Sequence, residues 1–298
     1  MNDERVVVSG GSGLIGSELI RALRAEGRRA VQLVRGPART SDEIEWHPDG
    51  TPLDPAALAG AAAVVNLNGA SIGRLPWTRG YRETLRESRI LPTRTLATAI
   101  RELGSAAPKL VSASAVGVYG TRPGEALTEA SGTGTTFLAE LCADWEQEAL
   151  DAGAAARVAL LRTAPLLHPC GVLKPMIRLT RWGLGGPLGG GSQIWPWISL
   201  DDEVRAIRHV IDRDLTGPVN LAGPTPASAN DIGRTLAREL HRPFALPAPA
   251  WALRLGLGRD AAESLLLADA AVAPATLTAT GFRFAHPTAS EAIAAAMG

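Results

Sequence analysis

The first part of the chain alternates short apolar runs with stretches of helical periodicity. Residues 5–9 (RVVVS) and 30–34 (AVQLV) have the apolar, β-branched character of buried strands. Between them, apolar residues recur through Arg24 at the spacing of one helix face: Leu14, Ile15, Leu19, Ile20 and Leu23. Strand, helix and strand in this order predict a βαβ unit and therefore a parallel sheet.

The same alternation continues to about residue 165. Further strands are predicted at 62–67, 109–113 and 157–161, and a long helix is predicted over 81–103. A second helix is indicated by an apolar stripe at Phe137, Leu138, Leu141, Cys142 and Trp145. This succession is typical of a doubly wound α/β fold of the Rossmann type.

The pattern changes after Pro165. Residues 182–197 are rich in glycine and tryptophan and predict a loop, and Asp201 is expected to cap a helix that ends near Ile211. Residues 218–221 predict one more strand, and helical patches follow near 229–240, 249–256 and 260–270. We therefore expect a Rossmann domain over 1–165 and a smaller, mostly helical part over 166–298. The strand at 218–221 is expected to return to the main sheet.

Composition narrows the class of protein. The 298 residues are 46% hydrophobic and 20% charged, and 30 basic side chains balance 30 acidic ones. This balance gives no electrostatic argument for binding nucleic acid or an anionic membrane. No segment offers the roughly 20 apolar residues of a membrane span, and no signal peptide is recognised, so a cytoplasmic location is expected.

The cysteines and histidines show no metal-ligand spacing. Cys142 and Cys170 are too few for a disulfide framework and are expected to be buried, reduced thiols. The five histidines form neither an H-x-H nor an H-E-x-x-H pattern. No metal is therefore expected.

A glycine-rich turn follows the first strand directly. Residues 10–16 (GGSGLIG) fit G-x-x-G-x-x-G between a strand and a helix. Gly10 and Gly13 allow a tight turn and close approach of a pyrophosphate, and Gly16 lets the helix pack near the sheet. This context favours a dinucleotide-binding turn over an incidental glycine-rich loop.

The end of the second strand indicates which dinucleotide binds. An acidic residue there would bind the ribose 2′-hydroxyl of NAD, whereas an arginine suits the 2′-phosphate of NADP. The chain has Arg35 at this point, Arg39 shortly after it, and no acidic residue before Asp42. NADP is therefore favoured, with a solvated loop arginine as the alternative.

Several segments together carry a family resemblance over nearly the whole chain. They are SGGSGLIG at 9–16, VVNLNGASIG at 64–73, WTRGYRETLRESRI at 77–90, SASAVGVYG at 112–120, FLAELCADWE at 137–146, GLGGPLGGGSQIWPWISLDD at 183–202 and GFRF with HPT at 281–288. The chain resembles an extended short-chain dehydrogenase/reductase, similar to sugar-nucleotide epimerases. The resemblance is closer to an atypical bacterial "epimerase family" that carries a C-terminal domain of unknown function.

The resemblance implies roles for particular residues. The pyrophosphate would be lined by Gly10, Ser12, Gly13, Leu14 and Ile15, and Arg35 would meet the 2′-phosphate. The cofactor ribose would pass near the segment after the strand at 62–67, formed by Asn68, Gly69 and Ala70. Ser114 would lie beside the substrate oxygen. The C-terminal part would cover the nicotinamide and contribute substrate contacts, for which Gln193, Trp195 and Trp197 are candidates.

The catalytic pair of this superfamily is missing. Typical members use Tyr-x-x-x-Lys, whose i and i+4 side chains share one helix face. On the corresponding helix, either Leu138 and Cys142 or Phe137 and Leu141 stand at that spacing. The chain's two tyrosines are followed four residues later by leucine and proline, so the motif occurs nowhere in the sequence.

Three interpretations of the missing Tyr-x-x-x-Lys pair stay open. Another group replaces the tyrosine, with Tyr119, Ser114, Glu140 and His168 as candidates. Alternatively, hydride transfer proceeds without that acid. In the third reading the protein binds NADP without turnover, as a sensor or regulator, because fold alone does not establish catalysis.

Other positions near the expected cleft are ambiguous. Arg74 follows the strand at 62–67, at the edge where open α/β sheets bind ligands, and is a candidate for binding an anionic substrate group. Trp195 and Trp197 either stack on a ligand or pack between the two parts of the protein. Ser199 stands where the resembled family usually has histidine.

The favoured function is NADP-dependent oxidoreduction or epimerisation of a small carbonyl or sugar-nucleotide-like ligand. A small-molecule substrate is therefore the expected partner, without nucleic acid or membrane. Homodimerisation is a further expectation, through helices that include apolar Leu138 and Leu141.

Overall fold

One parallel sheet organises the chain in the computed structural model, which describes residues 4–298. The strands, in chain order, are β1 (Val6–Ser9), β2 (Ala30–Val34), β3 (Glu43–Glu45), β4 (Ala63–Asn66), β5 (Lys109–Ala115), β6 (Ala126–Leu127), β7 (Ala159–Thr163), β8 (Ile194–Trp195), β9 (Gly217–Leu221), β10 (Ala227–Ser228) and β11 (Ala271–Val272). Seven of them form the sheet in the order β3-β2-β1-β4-β5-β7-β9, with every neighbouring pair parallel. The short strands pair separately, β6 with β11 and β8 with β10.

Helices cover both faces of this sheet. They are α1 (Leu14–Ala25), α2 (Arg79–Glu102), α3 (Phe137–Leu150), α4 (Leu173–Arg181), α5 (Leu200–Asp212), α6 (Ala229–Glu239), α7 (Ala250–Leu257), α8 (Arg259–Leu265), α9 (Ala275–Ala279) and α10 (Ala289–Met297). Alternation along β1 divides the core: Val6 and Val8 pack with α1 and α5, whereas Val7 packs with α2 and α3. The predicted Rossmann-type fold with a smaller, mostly helical C-terminal part is confirmed.

The C-terminal part is joined to the main sheet and also has a core of its own. The predicted strand at 218–221 is β9, which pairs with β7 from Gly217 to Leu221. A separate apolar cluster contains Leu173, Trp197, Leu236 and Ile293. A functional division at residue 165 stays a prediction, because the core beneath β9 combines residues from both sides of it.

Three local predictions need correction. Ser199, not Asp201, is the N-cap of α5, and its hydroxyl accepts a hydrogen bond from the Asp202 N–H. The segment predicted as a loop at 182–197 contains β8, and the helix expected to reach residue 270 ends at Leu265. Of the two thiols expected to be buried, only Cys142 is, and Cys170 is exposed.

Residues 4–298 contain neither a membrane-spanning helix nor a metal-binding cluster. None of the helices there combines the length and apolar character that crossing a membrane requires. No group of three or more His, Cys, Asp or Glu side chains is arranged to hold a metal ion within the same residues.

Candidate functional site

The glycine turn lies at the carboxyl end of β1, where the chain order of the sheet reverses between β1 and β4. Gly10 adopts φ +74°, and a Cβ there would lie 2.6 Å from the Leu67 carbonyl oxygen. A Cβ on Gly16 would overlap the Gly10 carbonyl oxygen, so α1 could not pack this close to the turn. Crevices at such reversal points are the ligand sites of open α/β sheets.

The first turn of α1 is free of its own side-chain caps. The N-cap, Gly13, has no side chain that could accept a hydrogen bond from the helix N–H groups, and the first turn contains no acidic residue. Ser12 and Gly13 are exposed, and Leu14 and Ile15 are partly buried. The first N–H groups of the helix and its positive dipole end therefore point at the turn, an arrangement that binds phosphate.

Arg35 lies at the carboxyl end of β2, beside this turn. The residue is exposed, and no side chain within residues 4–298 is hydrogen-bonded or ion-paired with it. Asp42, the first acidic residue after it, is instead paired with Arg29 at 3.1 Å. Arg35 is thus a cation to which no carboxylate within residues 4–298 is bound, which fits a 2′-phosphate.

The segment after β4 is held firmly beside the turn. The Asn68 side-chain amide donates to the Ser9 hydroxyl at 2.7 Å and to Asn66 Oδ1 at 2.9 Å. The Ala70 N–H donates to the Ser88 hydroxyl at 3.0 Å, and Gly69 is exposed. The proximity of these residues to the cofactor ribose stays a prediction, and their rigid placement beside the turn agrees with it.

Ser114 belongs to a buried charged cluster. Its hydroxyl donates to Glu146 Oε1 at 2.7 Å, and Ser114 is 4% exposed. Arg162 donates to both oxygens of the same carboxylate at 2.9 Å. Burial alone lowers the pKa of Arg162, but the hydrogen bonds and charge of Glu146 overcome this effect and raise it. Ser114 therefore has to exchange its partner before its hydroxyl can bind a substrate oxygen.

Tyr119 is the other predicted catalytic candidate, and it extends this cluster. Its hydroxyl donates to Asn220 Oδ1 at 2.6 Å and accepts from Arg162 Nη1 at 3.0 Å, and its side chain is 0% exposed. Burial raises the pKa of Tyr119, against the lowering effect of Arg162. The backbone N–H of Asn220 in turn donates to Glu129 Oε1 at 3.0 Å. A catalytic role for Tyr119 stays a prediction, and the observed contacts are those of a buried structural network.

Apolar side chains occupy the positions expected for the missing pair. Leu138, Leu141 and Cys142 are all buried, and burial raises the pKa of the Cys142 thiol to about 12. The thiol is therefore protonated at neutral pH and unsuited to proton transfer. Of the other candidates, Glu140 is exposed, and His168 Nδ1 accepts the Cys170 N–H at 3.1 Å.

Glu203 is a buried carboxyl group that the sequence did not single out. It lies in the first turn of α5, is 0% exposed, and its Oε1 accepts from the Thr163 hydroxyl at 2.8 Å at the end of β7. Its Oε2 has no hydrogen-bond partner among the described residues. Burial raises the pKa of Glu203 to about 8, so the group is largely a neutral acid at pH 7.

The candidate substrate residues of the C-terminal part are already paired with backbone carbonyls. Gln193 donates to the Leu188 and Leu266 oxygens at 2.9 and 2.8 Å, and Trp195 Nε1 also donates to Leu266. Trp197 Nε1 donates to the Thr225 oxygen at 3.0 Å. For Trp195 and Trp197, these contacts agree with packing inside the protein. Substrate contacts by Gln193 and the two indoles stay a prediction.

The two remaining positions are an exposed arginine and a buried serine. Arg74 is exposed, with its guanidinium 5.1 Å from the centre of the Tyr81 ring. The Ser199 hydroxyl lies 3.0 Å from both Asp202 Oδ2 and His286 Nδ1. The His286 imidazole thus contacts the side chain that stands where the resembled family usually has histidine.

The parallel sheet, the glycine turn at its reversal point and the uncapped helix behind that turn define a Rossmann-type dinucleotide-binding protein. Residues 6–222 match the model of the NAD dependent epimerase/dehydratase family, and residues 248–296 match a domain of unknown function, DUF1731. Because the first match covers more than half of the chain, the protein belongs to the NAD dependent epimerase/dehydratase family.

Individual relatives agree with this assignment. An epimerase family protein of Mycobacterium bovis is 42% identical over 97% of this chain and 96% of its own length. The crystal structure of human epimerase family protein SDR39U1 with NADPH has a TM-score of 0.89 at 27% identity, covering 98% of this chain and 99% of that one. The crystal structure of a nucleoside-diphosphate sugar epimerase from Corynebacterium glutamicum has a TM-score of 0.80 at 32% identity. The match covers 100% of this chain and 59% of that longer chain.

Proposed function

We propose that this protein binds NADP and acts as an oxidoreductase or epimerase-like enzyme on a small carbonyl or a sugar-nucleotide-like ligand. The observation that carries the proposal is the glycine turn at the uncapped end of α1, with unpaired Arg35 beside it. The NADPH bound in the human relative supports the choice of cofactor. The name of the Corynebacterium glutamicum relative supports the class of substrate.

The glycine turn, Arg35 and Ser114 have separate roles in the proposed site. The turn and the first N–H groups of α1 bind the pyrophosphate, and Arg35 binds the 2′-phosphate. When bound, the nicotinamide supplies the hydride chemistry, and the protein positions it against the substrate. Ser114 is the polar contact for the substrate carbonyl oxygen, provided that it exchanges its hydrogen bond with Glu146.

A second candidate function is NADP binding without turnover, as a sensor or regulator. One observation favours it: the hydroxyls of both catalytic candidates, Ser114 and Tyr119, are buried and paired with other side chains. A general acid has to come within hydrogen-bond distance of the reacting oxygen. The sequence also lacks the Tyr-x-x-x-Lys pair that would supply one.

The first test is titration of ligand-free protein with NADPH and with NADH. Wild type is expected to prefer NADPH, and Arg35→Ala should weaken NADPH binding by about 10- to 100-fold while leaving NADH little changed, because only NADPH carries the 2′-phosphate. Arg21→Ala is the matched control, since Arg21 is an exposed arginine of α1 paired with Glu18. If neither nucleotide binds at millimolar concentration, the proposed function is wrong.

A second measurement separates the enzyme from the sensor. Oxidation of NADPH is followed with a panel of small carbonyls, and epimerisation is followed with nucleoside-diphosphate sugars. Turnover that is lost in Ser114→Ala, with NADPH affinity retained, supports the enzyme. Tight NADPH binding without turnover on either panel favours the sensor.

A further inference from the structure

The missing lysine leaves the cofactor cleft without its usual cation, and neither lysine of the chain replaces it. Lys109 begins β5, at the opposite end of that strand from Ser114, where it donates to Asp214 at 3.1 Å and to the Leu215 oxygen at 2.5 Å. Lys174 is exposed on α4, in the C-terminal part. Any cation at the carboxyl edge beside α3 must therefore be an arginine.

Arg89 of α2 is placed to be that cation. Its Nη2 donates to the Ala70 oxygen at 3.0 Å and its Nη1 donates to the Leu85 oxygen at 2.9 Å. The guanidinium carbon lies 5.2 Å from the centre of the Trp145 ring on α3. A Cβ on Gly69 would come within 3.2 Å of that carbon, so glycine there allows the guanidinium to reach the segment after β4.

The charge of Arg89 is not matched by the protein. Burial lowers the pKa of Arg89, and the groups that oppose this effect are Cys142 and Tyr81, neither of which is a carboxylate. No carboxylate of residues 4–298 forms an ion pair with it, whereas its helix neighbours Arg82, Arg86 and Arg94 each pair with one. A partly buried cation of this kind is suited to a ligand that brings negative or polar oxygen atoms.

The same contacts place Arg89 beside the position of the missing lysine. Cys142, one of the two residues that stand where that lysine would be, precedes Trp145 by three residues and so shares its face of α3. A guanidinium has five N–H donors, and the two backbone carbonyls and the Ser88 hydroxyl, 3.5 Å from Nη1, use at most three of them. Donors therefore remain for a ligand in the cleft.

The order of the strands tells which half of the cofactor Arg89 would meet. The edge of the sheet runs β2-β1-β4, with Arg35 after β2, the phosphate turn after β1 and Gly69 after β4. If the 2′-phosphate binds at Arg35 and the pyrophosphate at the turn, the nicotinamide ribose extends over the end of β4. Arg89 lies at that end.

We propose that Arg89 binds the nicotinamide-ribose half of NADPH and thereby replaces the absent lysine from a different helix. The inference rests on the proposed NADP binding. Arg89 is then a cofactor-binding residue of α2, and its guanidinium packs against the Trp145 ring of α3. The Arg35 contact is separate, because it involves the other end of the same cofactor.

The test compares two ligands that share the 2′-phosphate end. NADPH contains the nicotinamide ribose, whereas 2′,5′-ADP lacks it. We expect Arg89→Gln to weaken NADPH binding by about 10- to 100-fold, the usual effect of a lost charge-assisted hydrogen bond, and to change 2′,5′-ADP binding by less than about twofold. Arg89→Lys should recover part of the loss. Arg86→Gln is the matched control, because it removes an exposed arginine of the same helix that pairs with Asp144.

The outcomes distinguish this inference from the proposed function. If wild type binds neither ligand, NADP binding itself is wrong. If wild type binds both and Arg89→Gln weakens them equally, or weakens neither, the role of Arg89 is wrong. Should Arg89→Gln fail to fold by circular dichroism, Arg89→Lys decides: NADPH affinity below that of Arg86→Gln with unchanged 2′,5′-ADP affinity supports the inference, and equal affinities overturn it.

Discussion

Two buried acidic residues at the carboxyl edge of the sheet are stabilised in opposite ways. Glu146 accepts hydrogen bonds from Arg162 on both oxygens and from Ser114, so its charge is matched. Glu203 has a single partner, the hydroxyl of Thr163, and one of its oxygens has none among the described residues. A buried carboxyl group without a cation is more stable in the neutral form.

The raised pKa of Glu203 predicts a particular dependence of stability on pH. Below 4.5, the ordinary pKa of the group, both the folded and the unfolded states hold the proton; between 4.5 and about 8 only the folded state holds it. The free energy of unfolding should therefore fall as the pH rises through this window. We expect Glu203→Gln to remove this loss, so that the variant gains roughly 1–4 kcal/mol over wild type between pH 5 and pH 8.5.

Urea denaturation at the two pH values measures this difference. Asp201→Asn, an exposed neighbour in the same helix turn, is the control and should leave the pH dependence of wild type unchanged. An identical pH dependence of wild type and Glu203→Gln would show that Glu203 is ionised in the folded protein.

At the scale of elements, α1 depends on its close approach to the turn before it. A methyl group on Gly16 would overlap the Gly10 carbonyl oxygen, which belongs to the backbone and has no freedom to rotate away. We expect Gly16→Ala to displace the start of α1 and to weaken NADPH binding by at least about tenfold, because the helix N–H groups no longer converge on the pyrophosphate.

Gly80→Ala is the matched control for that substitution. Gly80 lies in the first turn of α2, and nothing lies within 4 Å of an added Cβ. Alanine in a helix is more favourable than glycine by about 0.5–1 kcal/mol, so this variant should be slightly more stable and should bind NADPH normally. Isothermal titration and thermal melts of both variants give the comparison, and unimpaired binding by Gly16→Ala would contradict the expected role of the turn.

At the scale of the whole molecule, the Glu146–Arg162 pair connects elements that are distant along the chain. Ser114, Arg162 and Asn220 are register partners on β5, β7 and β9, and Glu146 reaches them from α3. Removing one partner of a buried pair leaves the other charge without compensation. Glu146→Gln should therefore lower the free energy of unfolding by about 3–5 kcal/mol.

The control for this prediction is an ion pair at the surface between the same two helices. Glu148 of α3 pairs with Arg94 of α2 at 2.5 Å, and the Arg94 side chain is mostly exposed. Glu148→Gln should cost no more than about 1 kcal/mol, because the Arg94 guanidinium is in contact with water, which screens the pair. Equal losses in the two variants, measured by urea denaturation, would argue against the buried network as a source of stability.

Association of the molecule stays a prediction. Leu138 and Leu141, the apolar residues on which a dimer surface was expected, are buried within the chain against Trp77, Leu85 and Ala261. They are therefore not available to a second copy in this fold. Sedimentation equilibrium would establish whether another surface forms a homodimer.

Six of the seven strands of the main sheet, the glycine turn and the preference for NADP were predicted from the sequence. Each of these depends on local features: apolar runs make strands, glycines make the turn at 10–16, and Arg35 follows β2 directly. Strand β3 was missed because three residues, Glu43–Glu45, carry too little pattern. The cap of α5 was misplaced by two residues, since serine and aspartate are both good N-caps.

The contacts between polar residues that are distant in the sequence became apparent only in the folded structure. In the sequence, Arg89 is one of several arginines in a charged helix, 20 residues after Gly69. Glu203 is one of three acidic residues in the first turn of α5. Packing of α2 and α3 on the sheet brings Arg89 to Ala70 and Trp145, and packing of α5 buries Glu203. Burial and unmatched charge are long-range properties, so no local pattern predicts them. The sequence therefore predicted where a dinucleotide binds, whereas only the fold showed which charges surround that site.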